Sequence, residues 1–200
     1  MIFLHHLHQF LQRQEIGYRI TIVEQVAGKD FNRAKLFNIG FIELERRFPT
    51  DCYIFHDVDL VPLRANNMYA CTLQPRHMSS SINVFNYQLP YSQLFGGAVA
   101  LLSKQFRRIN GYSNEFFGWG GEDDDFYNRL RRSGLPLVRF EQDISRYIMI
   151  DHAKESPNPD RFEMLRHGRW RYDNDGLNDL HYAVDDFELR PLYTWILVEL

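Results

Sequence analysis

The sequence has few cysteines, no long apolar run and no excess of basic residues, and each of these absences excludes a class of protein. It holds only two cysteines, Cys52 and Cys71, which fit either two buried thiols or one disulfide. A disulfide closing that loop would contribute about 3 kcal/mol and imply an oxidising compartment. No apolar run reaches the length of about 18 residues that a membrane span needs, and polar residues interrupt the apolar stretch after Met1, so we predict neither a span nor a signal peptide. The formal net charge of -3 gives no basic footprint, so no nucleic-acid partner is expected.

Aromatic residues are plentiful at 15%, which suits a hydrophobic core and also a sugar site, where rings stack on pyranose faces. Apolar residues alternate between helical and strand spacing along the chain. Helices are predicted over 2–14, 31–48, 103–109, 122–133 and from 158 onwards, and strands over 18–26, 52–56, 98–102, 147–150 and twice within 180–200. Residues 63–95 read as a long irregular loop. Because no repeat or interdomain linker interrupts this order, we predict a single α/β domain over residues 1–200.

The stretch from Trp119 to Asp125 stands out, because four consecutive carboxylates follow the pair Gly120 and Gly121. The acids fall in the first turn of a predicted helix, where the helix dipole favours them. They are compatible with the acidic start of a surface helix. An aromatic residue beside a flexible glycine pair and excess carboxylate favours a substrate site with a lid that carries Trp119.

A second acidic pair, Asp57 and Asp59, directly follows the predicted buried strand 52–56. In an extended chain residues i and i+2 point to one side, so the two carboxylates are expected to project together. In α/β folds ligands bind at the carboxyl ends of strands, and two oxygen ligands there suit Mg²⁺ or Mn²⁺ holding a diphosphate. A lone Asp-x-Asp is common, and this interpretation depends on the strand that precedes it.

Cationic residues crowd the start of the helix predicted over 31–48, where Arg33 and Lys35 follow Asn32. Positive charge at the positive end of a helix is unfavourable without an anion. A bound phosphate would explain the cluster, and so would chance. The three histidines His5, His6 and His8 favour a solvated helix face over a metal site, since no partner ligands lie nearby in the sequence.

Taken together, several segments resemble the β1,4-galactosyltransferase family (glycosyltransferase family 7), type II Golgi enzymes. The matching segments lie at 31–36, 55–62, 95–97, 110–112, 118–125 and 175–178. The stretch 118–125 is the most specific of them. The resemblance implies a nucleotide-diphospho-sugar transferase (GT-A-like) fold with a mixed central sheet flanked by helices. It also implies a disulfide between Cys52 and Cys71 in a lumenal protein.

The resemblance assigns roles to individual residues. It implies Mn²⁺ as cofactor, with Asp59, Met149 and His152 as its ligands. Asp123, with Glu122, takes the catalytic role. Donor-binding residues are expected at Phe31, Arg33, Asp57, Val58, Leu94, Gly97 and Trp119. Acceptor-binding residues are expected at Tyr91, Gly121, Asp123, Asp124, Arg161, Phe162 and Leu165.

The activity implied is transfer of a sugar from a UDP-sugar, with inversion, to terminal N-acetylglucosamine of glycoproteins or glycolipids, forming a β1,4 linkage. Leu94 stands where the vertebrate galactosyltransferases have Tyr, and members with a smaller aliphatic residue there resemble β1,4-N-acetylgalactosaminyltransferases. A smaller side chain leaves room for an acetamido group, which favours UDP-GalNAc over UDP-Gal as donor.

The resemblance also shows a departure at the N-terminus. The family's first strand, stem and membrane anchor have no counterpart in this sequence, so the chain is expected to be an N-terminally shortened catalytic domain of a Golgi-lumen enzyme, either as a fragment of a longer protein or as a naturally short one. Two rival functions follow. A chain that binds sugars without transferring them would suit the missing strand, and a metal-dependent phosphohydrolase would suit Asp57 and Asp59 but leaves Trp119 and Arg161 without a role.

Overall fold

The computed structural model describes residues 2–153 and 156–200 of the chain. Within these residues it forms five α-helices: α1 (Ile2–Gln12), α2 (Arg33–Arg47), α3 (Ser103–Arg108), α4 (Glu122–Arg132) and α5 (Arg161–Gly168). It also forms nine strands: β1 (Thr21–Gln25), β2 (Cys52–His56), β3 (Leu60–Pro62), β4 (Arg76–His77), β5 (Ser81–Ile82), β6 (Ala98–Leu102), β7 (Arg146–Met149), β8 (Ala183–Leu189) and β9 (Thr194–Glu199). No helix of the described residues is long and apolar enough to cross a membrane.

The chain folds into two compact units, each built from three stretches of sequence. Among the described residues the first unit comprises 2–18, 51–105 and 130–153, and the second comprises 19–50, 106–129 and 156–200. The expectation of one catalytic domain over residues 1–200 stays a prediction.

The first unit contains two three-stranded sheets, ordered β2-β6-β4 and β3-β7-β5. The apolar run of β6 is almost completely buried and pairs antiparallel with both β2 and β4. Strand β2 ends at His56, and the chain then enters the other sheet at Leu60. Residues 57–59 therefore form the connection between the two sheets of this unit. The disulfide between Cys52 and Cys71 ties the start of β2 to the loop between β3 and β4, which confirms the predicted pairing.

The second unit contains the sheet β1-β9-β8, in which β1 runs parallel to β9 and β8 antiparallel to it. Helix α2 covers this sheet, because Leu36 and Ile39 pack against Ile196 and Val198 in one apolar cluster. Asn32 caps the helix, since its side-chain oxygen accepts a hydrogen bond from the Lys35 backbone N–H at 2.8 Å. The cap is fully buried.

The predicted α/β class, with sheets flanked by helices, is confirmed. The strands divide among three sheets instead of forming one mixed central sheet. The region predicted to be irregular, 63–95, contains β4 and β5, each only two residues long. So short a strand carries no readable alternation in sequence, and its position is set by partners distant along the chain, such as Tyr147 for Ile82.

Candidate active site

The predicted metal ligands Asp59, Met149 and His152 come together at one end of the β3–β7 pair in the first unit. Leu60 is in register with Met149, and the carbonyl of Asp59 accepts a hydrogen bond from the Ile150 N–H at 2.7 Å. The His152 Nδ1 atom lies 3.2 Å from the Asp59 carboxylate. Pairing of β3 with β7 therefore brings Asp59 to the same end of the strand pair as residues 149–152.

These donors fit a divalent ion. The His152 Nδ1 atom also lies 3.1 Å from the Ile150 carbonyl, so in this arrangement Nδ1 carries a hydrogen and Nε2 is the ring atom that could bind an ion. A carboxylate and an imidazole are ordinary Mn²⁺ donors, and both side chains are partly exposed. Among residues 2–153 and 156–200 no group of three His, Cys, Asp or Glu residues gathers to bind a metal, so this pair needs the Met149 thioether or ligand oxygens to complete a coordination shell.

The chain is not extended at residues 57–59, so the geometry from which the joint projection of Asp57 and Asp59 was predicted is absent, and the projection itself stays a prediction. Residues 58 and 59 form a turn, in which the Leu60 N–H approaches the Asp57 carbonyl at 3.3 Å. The turn arises because β2 and β3 join different sheets. Val58 is exposed at its tip.

A chain of hydrogen bonds lies beside this turn and runs, in order, through Arg76, Asn67, Tyr147, Tyr69, His56 and Asp57. Its direction is set at the Asp57 carbonyl, which can only accept, so a neutral His56 ring donates from Nδ1 and accepts at Nε2. The Tyr69 hydroxyl therefore donates to His56 Nε2 at 2.8 Å, and His56 Nδ1 donates to the Asp57 carbonyl at 2.8 Å. Burial raises the pKa of both tyrosines, which keeps their hydroxyls protonated. The chain orients the first residue of the turn.

Gly97, a predicted donor-binding residue, lies against the same turn. Its carbonyl accepts a hydrogen bond from the Asp57 N–H at 2.9 Å. Gly97 has φ +76°, and a Cβ atom there would lie 2.7 Å from Leu60 Cδ1 and 2.5 Å from Ser79 Oγ. Only glycine allows this close approach. Tyr91 and Leu94 lie on a separate turn of the same unit, closed by a hydrogen bond of 3.2 Å from the Leu94 N–H to the Tyr91 carbonyl.

In the second unit, Arg33 is paired with the two predicted catalytic carboxylates. Its Nη1 atom lies 2.9 Å from Asp123 Oδ1 and 3.4 Å from Glu122 Oε1. The cationic helix start that suggested a bound phosphate thus has anions from the protein itself. Burial, and then the neighbouring Asp123 charge, raise the pKa of Glu122, while Arg33 opposes the rise. The Oε2 atom of Glu122 is buried and has no hydrogen-bond partner among the described residues.

The glycine-rich loop before α4 carries Trp119 outward, with 56% of its surface exposed. Gly118, Gly120 and Gly121 all have positive φ, and a Cβ atom at Gly121 would lie 2.7 Å from the Phe116 ring. The backbone of Trp119 accepts a hydrogen bond from the Asn158 N–H at 3.0 Å. In this conformation the loop is tied to the segment that leads into α5, and its movement as a lid stays a prediction.

Three predicted acceptor residues of the second unit, Arg161, Phe162 and Leu165, lie on α5. Arg161 lies beside the glycine pair, since a Cβ atom at Gly120 would meet its Cδ at 3.0 Å. The Arg161 guanidinium stacks over the Phe162 ring at 4.3 Å, and 62% of the Phe162 surface is exposed. Leu165 is half-buried one turn later, and Asp124 is half-buried near the start of α4. Phe31 is exposed, and its carbonyl accepts a hydrogen bond from the Gly118 N–H at 2.8 Å.

A buried ion cluster behind these residues was not predicted. Arg129 donates from Nε to Asp125 at 2.7 Å and from Nη2 to Asp175 at 3.1 Å. Asp175 also accepts from the Ser113 hydroxyl at 2.5 Å and the Asn114 N–H at 2.7 Å. Burial raises the pKa of Asp125, and the Arg129 charge opposes it. The spacing of four residues between Asp125 and Arg129 was the available signal in the sequence.

Comparison with solved structures defines the class of the fold as that of glycosyltransferase catalytic domains. The catalytic domain of Drosophila β1,4-galactosyltransferase 7 in complex with xylobiose matches with a TM-score of 0.82 and 29% identity, over 100% of this chain and 87% of that chain. A mutant of that enzyme in complex with manganese, UDP-Gal and xylobiose matches with a TM-score of 0.83 and 28% identity, over the same shares.

Sequence comparison agrees with this class. Residues 1–72 match the model of the N-terminal region of glycosyl transferase group 7, and residues 76–153 match a model described as the N-terminal domain of galactosyltransferase. β1,4-Galactosyltransferase 1 is 45% identical in Mus musculus and 44% in Homo sapiens, in each case over 98% of this chain and 50% of the relative. The chain therefore belongs to the β1,4-galactosyltransferase family, glycosyltransferase family 7. It spans about half the length of these curated relatives.

Proposed function

We propose that this chain is a Mn²⁺-dependent inverting glycosyltransferase that joins a sugar from a UDP-sugar, through a β1,4 linkage, to terminal N-acetylglucosamine. The observation that carries the proposal is the carboxylate pair Glu122 and Asp123, held by Arg33 next to the glycine-rich loop of Trp119. Similar proteins support the proposal, because the relatives are named β1,4-galactosyltransferases and one structural neighbour was crystallised with manganese, UDP-Gal and the disaccharide xylobiose.

Asp123 acts as the general base of a single displacement. Its carboxylate takes the proton of the acceptor 4-hydroxyl while that oxygen forms a bond to the anomeric carbon of the donor. The bond between the anomeric carbon and the diphosphate oxygen breaks at the same time, and UDP leaves with the bonding electron pair. Glu122 contacts the sugar hydroxyls as a hydrogen-bonding group. Asp123 and Arg33 restrain each other's position, which reduces the reorganisation needed for the reaction.

Asp59, His152 and Met149 would hold Mn²⁺, which when bound neutralises charge on the departing diphosphate. Asp57, Val58 and Gly97, at the turn between β2 and β3, bind the nucleotide together with the other predicted donor-binding residues. Arg161, Phe162 and Leu165 bind the acceptor sugar, because an exposed ring beside a cation suits a polar molecule with apolar faces.

We assign UDP-GalNAc as the preferred donor because Leu94 is smaller than tyrosine and leaves space for an acetamido group. UDP-Gal is the alternative, favoured by the names of the relatives. We place the reaction in the Golgi lumen, in a protein that is membrane-anchored at full length. The disulfide between Cys52 and Cys71 supports an oxidising compartment of this kind.

The test is transfer from UDP-GalNAc and UDP-Gal, side by side, to a β-N-acetylglucosaminide, with Mn²⁺ and with EDTA. We expect Mn²⁺-dependent turnover that favours UDP-GalNAc and that Leu94→Tyr reverses, with a change in the ratio of kcat/KM of about tenfold or more. Leu73→Tyr is the matched control, because Leu73 is 91% exposed in the same unit.

Preference for UDP-Gal in the unchanged chain would refute the donor assignment and leave a galactosyltransferase. Binding of the acceptor without transfer from either donor would refute the enzyme and favour a sugar-binding chain. If UDP is released as fast without an acceptor as with one, the result would instead favour a hydrolase.

A further inference from the structure

The turn that carries Tyr91 and Leu94 is fastened from outside by one arginine. The Arg139 Nη2 atom donates to the Leu94 carbonyl at 2.8 Å and to the Ser92 carbonyl at 2.9 Å. Within the turn, the Leu94 N–H reaches the Tyr91 carbonyl at 3.2 Å. One guanidinium group therefore restrains the backbone of two of the four residues.

The other side of the same guanidinium is held by a buried histidine. Arg139 Nε donates to His77 Nδ1 at 3.1 Å. His77 is completely buried on β4, in register with Val99 of β6, and its backbone N–H donates to the carbonyl of Val138 at 3.0 Å. His77 thus fixes both the side chain of Arg139 and the backbone just before it.

The chemistry of His77 suits this role. Burial, followed by the neighbouring Arg139 charge, lowers the pKa of His77 to about 3. The ring is therefore neutral in any physiological compartment, and Nδ1 keeps the lone pair that accepts the Arg139 hydrogen bond. Lysine has the charge of arginine but not its planar set of donors, so it cannot replace all three contacts in this geometry.

We infer that the His77–Arg139 pair is a positioning clamp that sets the selectivity of the site, by fixing the turn on which Leu94 meets the donor sugar and Tyr91 the acceptor. The inference rests on the proposed function for the roles of Leu94 and Tyr91. Neither His77 nor Arg139 is assigned to a ligand. They act through the backbone of the turn, which is why selectivity, and not only stability, is expected to depend on them.

Four variants of the full chain test the clamp. Arg139→Lys keeps the charge but loses the fork of donors, and His77→Leu removes the acceptor. His77→Asn is the rescue variant, because its side-chain oxygen can occupy the position of Nδ1 and accept the same hydrogen bond. Arg131→Lys is the control, since Arg131 is exposed on α4.

The first measurement is hydrogen exchange at the amides of residues 91–97, which needs no activity. We expect exchange there to rise about tenfold or more in Arg139→Lys and His77→Leu, with little change in other segments, and to stay near that of the unchanged chain in His77→Asn and Arg131→Lys. The second is the ratio of dissociation constants for UDP-GalNAc and UDP-Gal in the presence of Mn²⁺. We expect this ratio to move toward 1 by at least about threefold in Arg139→Lys and His77→Leu, and to stay unchanged in His77→Asn and Arg131→Lys.

Faster exchange throughout the chain with an unchanged donor ratio would mean that the pair only stabilises the fold, and would overturn the inference. Unchanged exchange in Arg139→Lys and His77→Leu would overturn it as well. If the unchanged chain transfers no sugar, the proposed function fails, yet local exchange at 91–97 with rescue by asparagine would still establish the clamp on the turn.

Discussion

The carboxylates of α4 fall into two sets that pair with different arginines. Asp123 and Glu122 share Arg33 near the surface of the second unit, and one oxygen of Glu122 is buried without a hydrogen-bond partner among the described residues. Asp125 is completely buried and shares Arg129 with Asp175. Residues 123 and 125 are two apart, so they point about 200° apart around the helix axis.

The difference lies in exposure and in the partner of each set, Arg33 for the outer carboxylates and Arg129 for the buried ones. The buried set has a guanidinium that donates to two carboxylates, and its hydrogen bonds hold the helix in place. Both sets include a carboxylate whose pKa is raised by burial, and in each a buried oxygen, Glu122 Oε2 or Asp125 Oδ1, has no hydrogen-bond partner among the described residues. The sets differ in exposure, since 26% of the Asp123 side chain is exposed whereas the Asp125 side chain is completely buried. Two aspartates only two positions apart, Asp123 and Asp125, thus have different surroundings.

The largest expected effect is on turnover in the outer set. Asp123→Asn removes the proposed base but keeps its shape and its contact with Arg33. We expect kcat to fall by about 10²–10⁴-fold, because the proton must then leave without an acceptor group, while the free energy of unfolding changes little. The measurement is initial-rate kinetics with a thermal melt of the same samples.

Asp185→Asn is the matched control, because Asp185 is exposed on β8. Retention of more than half the turnover by Asp123→Asn would remove Asp123 from the catalytic role and erase the contrast between the two sets.

The second effect is on stability in the buried set. Arg129→Met leaves Asp125 and Asp175 buried without their shared cation, and we expect a loss of about 3–5 kcal/mol in the free energy of unfolding. Urea denaturation measures it. The control Arg131→Met, two residues away on the exposed side of α4, should change the free energy by less than about 0.5 kcal/mol. Equal effects of the two substitutions would show that the buried cluster does not hold the fold.

The smallest effect is the pH dependence of the outer set. The folded-state pKa of Glu122 is raised above its ordinary value of 4.5. The stability that Glu122 contributes is therefore fully present below about pH 4.5 and is lost as the pH rises through the folded pKa. Glu122→Gln removes the charge, so we expect it to be more stable than the unchanged chain by about 0.5–1 kcal/mol at pH 8, and by less at pH 4.

Unfolding measured for both proteins at each pH gives this difference, and the other titrating groups cancel. A glutamine variant that is less stable at pH 8 than the unchanged chain would mean that Arg33 compensates the Glu122 charge fully.

Local patterns were sufficient for most elements of the fold. The strands at 52–56 and 98–102 match their predicted bounds, and the helix predicted over 31–48 forms as Arg33–Arg47. In these segments the apolar residues recur at a clear helical or strand spacing, and residues such as the Asn32 cap mark where an element begins. The strands at Arg76–His77 and Ser81–Ile82 could not be predicted, because two residues show no period and their pairing depends on distant partners.

The candidate site divides in the same way. The acidic stretch 122–125, the glycines before it and the cysteine pair could be read from the residues and their resemblance to a family. That Arg33 pairs with Asp123 could not, because this pair joins α2 to α4, which packing brings together. The spacing of Asp125 and Arg129 on one helix could be read, but their burial together with Asp175 could not.

By itself, the sequence determined the α/β class, the family and the helix on which the carboxylates lie, because these depend on residue type and short-range spacing. Only the tertiary structure decided which acid is buried, that a turn and not an extended strand follows Asp57, and that Arg139 holds the turn of Leu94. The physical reason is that burial and ion pairing depend on contacts between residues far apart in the chain, and spacing along a sequence does not encode them.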